Sequence, residues 1–314
     1  MPHKLTSAAV VMYGKPVAEQ IYADVAAAVP DFVARSKAKP TLAIVQVGHN
    51  PASERYVKKK MEACERLGMA AQHHRFESSI STDSLREEVD RLSRAREVHG
   101  ILVQLPLPRD MEEPAAGDPG KFEVFDAIAP DKDVDGISRH SIPELYRAQQ
   151  DRLRFLPCTP LAVRRMMAFY GIETEGRLAV VVGRNDITAK PLVHMLGGRM
   201  CNAGAIWCHR YVPREDQERL IRSADIVISA VGSAHYRITG HMLKPGAVVF
   251  DIATRIDEAG KVRGDAEFDT ASQIASHVTP VPGGVGPVTV AALTENLLRA
   301  AQFAHDLRRP GYNF

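Results

Sequence analysis

Tyr56 and Lys60 stand four residues apart in the run Pro51-Ala52-Ser53-Glu54-Arg55-Tyr56-Val57-Lys58-Lys59-Lys60. On a helix, positions i and i+4 share a face. A phenol and an ammonium so placed can position a substrate and move a proton. The three consecutive lysines also read as a charge run on a solvated helix face. A second group, Asp131-Lys132-Asp133-Val134-Asp135-Gly136, opens like a calcium loop of the form D-x-D-x-D-G. That loop needs a glutamate at its twelfth position, which is Ile142 here, so the calcium reading fails. Carboxylates at this spacing suit the donor edge of a heterocycle, and they also suit an ordinary Asp-rich turn.

A third group is Gly183-Arg184-Asn185-Asp186-Ile187-Thr188-Ala189-Lys190-Pro191, between an apolar run and a helical stretch. Strand, glycine, short loop and helix form the layout that presents backbone N–H groups and a helix dipole to a pyrophosphate. The loop is not GxGxxG, and a plain strand-to-helix turn reads the same way. The next apolar run ends in Cys208-His209-Arg210, without the acid that NAD sites place on the ribose. With Arg184 in the first loop, two arginines and no carboxylate favour NADP over NAD. His73, His74, Cys201 and Cys208 follow no metal-ligand spacing, so no metal is expected. No nucleophile elbow or P-loop lysine motif is present.

Alternating short β-branched runs and amphipathic stretches would position these groups. Strands are expected at Thr41–Val47, Ala70–Phe76 and 98–105, with helices at about 51–67 and 82–96 between them. This β-α-β-α-β order implies a parallel sheet with right-handed crossovers. Ligands gather at the carboxyl ends of such strands, so Gly48 and Gln104 should open on one crevice. Residues 109–124, rich in acid, proline and glycine, read as a surface loop. A helix is expected at about 161–170, capped by Thr159. A second series follows, with strands at Leu178–Val182, 205–208, 225–229, 247–252 and 277–281. A helix begins near Lys190, and the last one spans about 289–308.

The chain has 314 residues, 45% hydrophobic and 25% charged, with Lys+Arg 40 against Asp+Glu 38. That suggests about two α/β domains, and the formal charge of +2 argues against nucleic acid as a main partner. No apolar run approaches the roughly 18 residues that span a bilayer, and the first residues lack a secretory leader pattern. Four cysteines without CxxC spacing read as reduced thiols. A cytoplasmic protein with no membrane partner is expected.

In order along the chain, these motifs resemble the bifunctional methylenetetrahydrofolate dehydrogenase/methenyltetrahydrofolate cyclohydrolase family. The strongest matches are Val47-Gly48 with the run Pro51–Lys60, Gly100 through Pro108 (GILVQLPLP) and Pro130 through Gly136 (PDKDVDG). Pro157-Cys158-Thr159-Pro160 and Thr279 through Pro287 (TPVPGGVGP) complete the set. The resemblance implies two parallel-sheet α/β domains, the second Rossmann-like, with the C-terminal helix returning to the first. Residues 1–155, completed by about 288–314, would bind folate, and residues 156–287 would bind NADP. Lys60 would be catalytic, Tyr56 would stack on or orient the folate, and Gln104 would tune the lysine. Ser53, Asp135 and the turn Pro282-Gly283-Gly284 would bind substrate. Gly183, Arg184, Asn185, Arg210, Gly232 and Thr254 would hold the cofactor. The family's usual homodimer, joined through its cofactor domains, is implied as well.

Departures from the family pattern cluster in the cofactor half. Asn185 stands for a serine, Ala189 and Ala162 for glycines, and Arg210-Tyr211-Val212 for Ser-x-Thr. Ser233-Ala234 stands for Lys-Pro and Ala253 for a further glycine. Each added methyl can obstruct a cofactor where backbone must approach it. The clustering motivates an alternative, mainly a cyclohydrolase with a weakened or altered nucleotide site. A second alternative is a non-enzymatic folate or nucleotide sensor.

Overall fold

The computed structural model describes residues 8–114, 120–147, 153–308 and 312. The described elements begin with β1 (Val10–Val11), α1 (Gly14–Ser36), β2 (Thr41–Val47), α2 (Pro51–Arg66), β3 (Ala70–Phe76), α3 (Thr82–Arg94) and β4 (Gly100–Val103). Next come α4 (Arg109–Glu112), α5 (Lys121–Asp126), α6 (Ser141–Arg147), α7 (Cys158–Phe169), β5 (Leu178–Val182), α8 (Ala189–Gly197), β6 (Gly204–Cys208) and α9 (Arg214–Ser223). Then follow β7 (Ile226–Ser229), β8 (Val248–Asp251), β9 (Arg255–Ile256), β10 (Val262–Arg263), α10 (Phe268–Ala271), β11 (His277–Val278) and α11 (Val285–Ala304). They fall into two compact units. The first holds residues between 19 and 158 together with 290–308 and 312; the second holds residues 8–18 and 159–289.

In the first unit a parallel sheet runs β3-β2-β4, with Val45 of the central strand opposite His74 and Val103. Every residue of β2 is buried, as an apolar run between two neighbours must be. Asn50 starts α2: its carbonyl accepts from the Glu54 N–H at 2.9 Å and its side-chain Oδ1 from the Ser53 N–H at 3.2 Å. Pro51 then sits where a missing N–H costs nothing. The carboxyl ends of β2 and β4 therefore lie side by side, with α2 leaving from one of them. The same unit buries Ile21, Val25, Val29 and Phe32 of α1, a four-and-three spacing that makes one helical stripe.

The second unit is built on a six-stranded parallel sheet in the order β1-β11-β8-β7-β5-β6. Val10 and Val11 add its outer strand by pairing with His277 and Val278. An antiparallel ribbon, β9 with β10, follows β8. All four cysteines are free and buried. Among the described residues, no helix is long and apolar enough to cross a membrane.

Several expected boundaries move for physical reasons. The stretch 109–124 is not simply a surface loop: it carries α4 and the start of α5, and Met111 and Val124 are fully buried, as is the next α5 residue, Phe125. Residues 115–119 lie outside the described ones. Helices α7 and α11 start at Cys158 and Val285, before the expected 161 and 289. Pro160 and Pro287 sit in their first turns, where no intrahelical N–H bond is required. Strand β11 stops at Val278 instead of 281, because Pro280 and Pro282 carry no N–H for the ladder.

Candidate active site

In the first unit, Lys60 Nζ donates to Gln104 Oε1 at 2.8 Å. The glutamine sits at the end of β4, its own N–H bonded to Val45 O at 2.8 Å. Its side-chain Nε2 donates to Leu105 O at 2.6 Å, which leaves Oε1 aimed at the lysine. Ser53 Oγ donates to that same Leu105 carbonyl at 3.2 Å. Ser53 thus braces α2 against the residue after Gln104, and the brace sets the reach of Lys60 on the next turns of the helix. Tyr56, one turn before the lysine, is 44% exposed, with Lys59 Nζ 6.0 Å from its ring centroid.

The three aspartates of the Asp131–Asp135 segment face three different tasks. Asp131 pairs with Arg154 at 2.7 Å. Asp133 is fully buried and accepts from the N–H groups of Gly136, Ile137 and Ser138 and from Ser141 Oγ at 2.6 Å. It shapes the turn. Gly136 has φ +67°, and a Cβ there would meet Pro157 N at 2.9 Å. With the turn so held, Asp135 lies beside Lys60 and Cys158.

Electrostatics in this pocket favour uncharged forms. Burial pulls the Lys60 ammonium below the ordinary lysine value, and Asp135 pulls back the other way. Burial likewise pushes the Asp135 carboxyl up, against the attraction of Lys60. Cys158 is pushed well above the usual thiol value by burial and by Asp135. A lysine whose ammonium is weakened by burial gives up its proton more readily than a solvated one and is the better placed to act as a base. The high thiol value leaves Cys158 a weak nucleophile.

A brace that the sequence reading missed comes from α11. Asn296 Nδ2 donates to Val134 O at 2.8 Å and Leu156 O at 3.0 Å. Its Oδ1 accepts from Tyr312 Oη at 2.6 Å, and Tyr312 Oη accepts from Leu156 N at 2.9 Å. These bonds tie together the two segments on either side of Asp135 and Cys158.

In the second unit, the six cofactor candidates sit at the carboxyl ends of β5 to β8. Gly183 has φ +144°, and a Cβ there would meet Ala230 O at 2.7 Å. Only glycine lets these two strand ends close up. Asn185 Oδ1 accepts from the N–H groups of Ile187 at 2.8 Å and Thr188 at 3.0 Å, so this side chain folds the loop on itself. Arg184 and Arg210 both approach the Tyr211 ring, at 5.2 and 5.0 Å from its centroid. A Cβ on Gly232 would lie 3.9 Å from Thr254 O, which places these two candidates together. Asp265, also missed from sequence, is fully buried and holds that turn. It accepts from Ser229 Oγ at 2.6 Å and from the N–H groups of Val231 at 2.9 Å and Gly232 at 3.0 Å. Pro282, Gly283 and Gly284 lie in the turn before α11, where Gly283 O accepts from Gly14 N at 2.8 Å.

The alanines that replace glycines can be tested against this geometry. Ala162 and Ala189 are 0% exposed and Ala253 is 5% exposed. A methyl facing an open nucleotide cleft would be accessible, so these methyls do not narrow it. Two guanidiniums without acidic partners among the described residues, a close glycine turn and out-of-the-way methyls suit a phosphorylated dinucleotide.

Comparison with known proteins decides the family. A model of the tetrahydrofolate dehydrogenase/cyclohydrolase catalytic domain matches residues 12–135, and one of the NAD(P)-binding domain of the same proteins matches residues 157–305. The chain belongs to the tetrahydrofolate dehydrogenase/cyclohydrolase family. It is 39% identical to the bifunctional protein FolD of Paraburkholderia xenovorans (strain LB400) over 289 residues, 92% of this chain and 95% of the relative. With the FolD of Chloroherpeton thalassium (strain ATCC 35110 / GB-78) the identity is 37%, covering 95% and 99%. Among solved structures it is similar to the Campylobacter jejuni bifunctional FolD enzyme, at 34% identity and TM-score 0.85, covering 94% and 99%. It is also similar to Trypanosoma brucei FolD in complex with NADP and an inhibitor, at 31% identity and TM-score 0.86, covering 96% and 99%. The chain is thus an enzyme of the bifunctional dehydrogenase/cyclohydrolase type, with two α/β parts of which the second is Rossmann-like.

Proposed function

We propose that the chain oxidises 5,10-methylenetetrahydrofolate with NADP and then hydrolyses the resulting 5,10-methenyltetrahydrofolate to 10-formyltetrahydrofolate, with both steps at the Lys60 pocket. The single observation that carries this reading is the 2.8 Å bond between Lys60 and Gln104 beside Asp135, in a pocket whose burial weakens the lysine ammonium. Loss of hydride leaves a cation shared between two nitrogens, which a neutral amine tolerates and an ammonium would repel. NADP, when bound, supplies the hydride acceptor.

The chain's own groups do the rest. Tyr56 offers its ring to the flat part of the folate, and Asp135 holds the polar edge of the pterin. A water adds to the methenyl carbon while Lys60 Nζ takes its proton. As the carbon–nitrogen bond opens, Lys60 returns that proton to the departing nitrogen. The remaining hydroxyl proton leaves to solvent as the formyl C=O forms, so one water enters and one proton is released. Gln104 keeps the lysine aimed throughout.

On the nucleotide side, Arg184 and Arg210 are assigned to the 2′-phosphate, while Gly183, Asn185, Gly232 and Thr254 shape the surface on which the dinucleotide lies. Burial of Ala162, Ala189 and Ala253 favours this reading over a weakened nucleotide site. We further assign a cytoplasmic homodimer. The family's usual assembly supports the dimer, and four free buried thiols fit a reducing compartment. A spectrophotometric assay with 5,10-methylenetetrahydrofolate tests the whole, run with NADP and NAD in parallel. Faster reduction of NADP supports it. Hydrolysis of methenyltetrahydrofolate without reduction of either nucleotide would leave only the cyclohydrolase.

A further inference from the structure

Tyr211 follows the end of β6 and is 67% exposed, so it adds little to the core. Both Arg184 and Arg210 lie against it, at 5.2 and 5.0 Å from the ring centroid. Arg210 Nη2 also donates to Tyr211 Oη at 3.1 Å. Neither guanidinium has an acidic partner among the described residues. Asp186, the acid of the neighbouring loop, is taken by Lys190. Two like charges brought to one ring without a counter-ion repel each other and call for an anion between them.

The ring itself is propped from below. His209 stands edge-on to it at 6.1 Å and meets Trp207 at 5.2 Å. Trp207 Nε1 donates to Gly183 O at 2.6 Å, at the start of the loop that carries Arg184. Tyr211 is therefore linked through two aromatic rings to the same turn that places one of its arginines. The phenol is acidified by Arg210 first, and Arg184 adds to this.

We infer that Tyr211 positions Arg184 and Arg210 as one clamp for a phosphate monoester, the 2′-phosphate that separates NADP from NAD. The site lies at the end of the second strand of the cofactor series, where ribose 2′ recognition falls in folds of this kind. Paired guanidiniums suit a phosphate because their forked donors match its oxygens. The inference rests on the NADP reading and deepens it: cofactor choice depends on an aromatic platform as well as on the two charges.

The test is Tyr211→Ala, with Tyr211→Phe beside it. For Tyr211→Ala the preference for NADP over NAD falls about ten-fold, the scale of one charge-assisted contact. The change appears in the KM for NADP, with the KM for NAD and the kcat at saturating nucleotide held. Tyr211→Phe keeps the ring and loses the acceptor of Arg210, so it falls between the two. By calorimetry, 2′,5′-ADP binding weakens in step and 5′-AMP binding does not. Hydrolysis of added methenyltetrahydrofolate, which uses no nucleotide, reports whether each variant is folded. An unchanged NADP preference in Tyr211→Ala, or an equal rise in both KM values, overturns the inference and leaves the NADP reading standing. Equal binding of 2′,5′-ADP and 5′-AMP by the wild-type protein overturns both.

Discussion

Replacing Gln104 by alanine isolates what the Lys60–Gln104 contact does. The glutamine is 8% exposed, and its Nε2 is already fixed on Leu105 O at 2.6 Å. Its Oε1 is therefore a preset acceptor 2.8 Å from Lys60 Nζ. Lys60 becomes charged as it takes the proton from water, and a net hydrogen bond to a charged partner contributes roughly 1.5–3 kcal/mol. At about 1.4 kcal/mol per decade of rate, losing this one slows methenyltetrahydrofolate hydrolysis by roughly 10- to 150-fold. The pH profile carries the sharper signature. An acceptor so close favours the ammonium, so its removal lowers further a lysine value that burial already depresses. The base-form limb of the hydrolysis profile then moves to lower pH. Gln104→Glu adds a negative charge at the same place and moves that limb to higher pH. Stopped-flow or steady-state loss of methenyl absorbance across pH measures both variants. Profiles that fall in height but stay in place would refute the electrostatic reasoning, and an unchanged rate in Gln104→Ala would refute the contact's role altogether.

Two further outcomes are expected. Asp135→Asn removes the carboxylate that holds the Lys60 value up, so its hydrolysis limb also moves to lower pH while the KM for folate rises; a shift to higher pH would contradict the pairing. Asn296→Leu leaves Val134 O, Leu156 O and Tyr312 Oη without the partner they share, costing about 3 kcal/mol or more of stability in a urea melt; a change under about 1 kcal/mol would show that the brace is not needed.

Much of the first unit was legible because its signals are local. Thr41–Val47 stands where its apolar run between Pro40 and Gly48 puts it, and Ala70–Phe76 follows Gly68 as expected. That Gln104 and the start of the Lys60 helix share one crevice followed from two neighbouring parallel strand ends, whereas the pairing of Lys60 with Gln104 was implied by the family resemblance. The misses have a different origin. Met111 and Val124 look like part of a polar loop, because proline and glycine around them hide two short helices with buried side chains. Pro160 and Pro287 looked like helix boundaries although a first turn tolerates them. Asn296 gave no local sign at all, since its carbonyl partners are 140 and 162 residues away. Asp265 likewise serves a turn more than 30 residues earlier in the chain. Tyr211 entered the sequence reading only as a departure from the family pattern, and it is the fold that brings Arg184, 27 residues earlier, onto the ring beside its neighbour Arg210.

Lys60→Met tests the central claim most directly. It removes the amine and keeps the stem, in a protein whose two reactions can be assayed apart. Methenyltetrahydrofolate hydrolysis is expected to vanish, while folate binding by calorimetry remains. Hydrolysis at the wild-type rate in this variant would contradict the proton relay through Lys60.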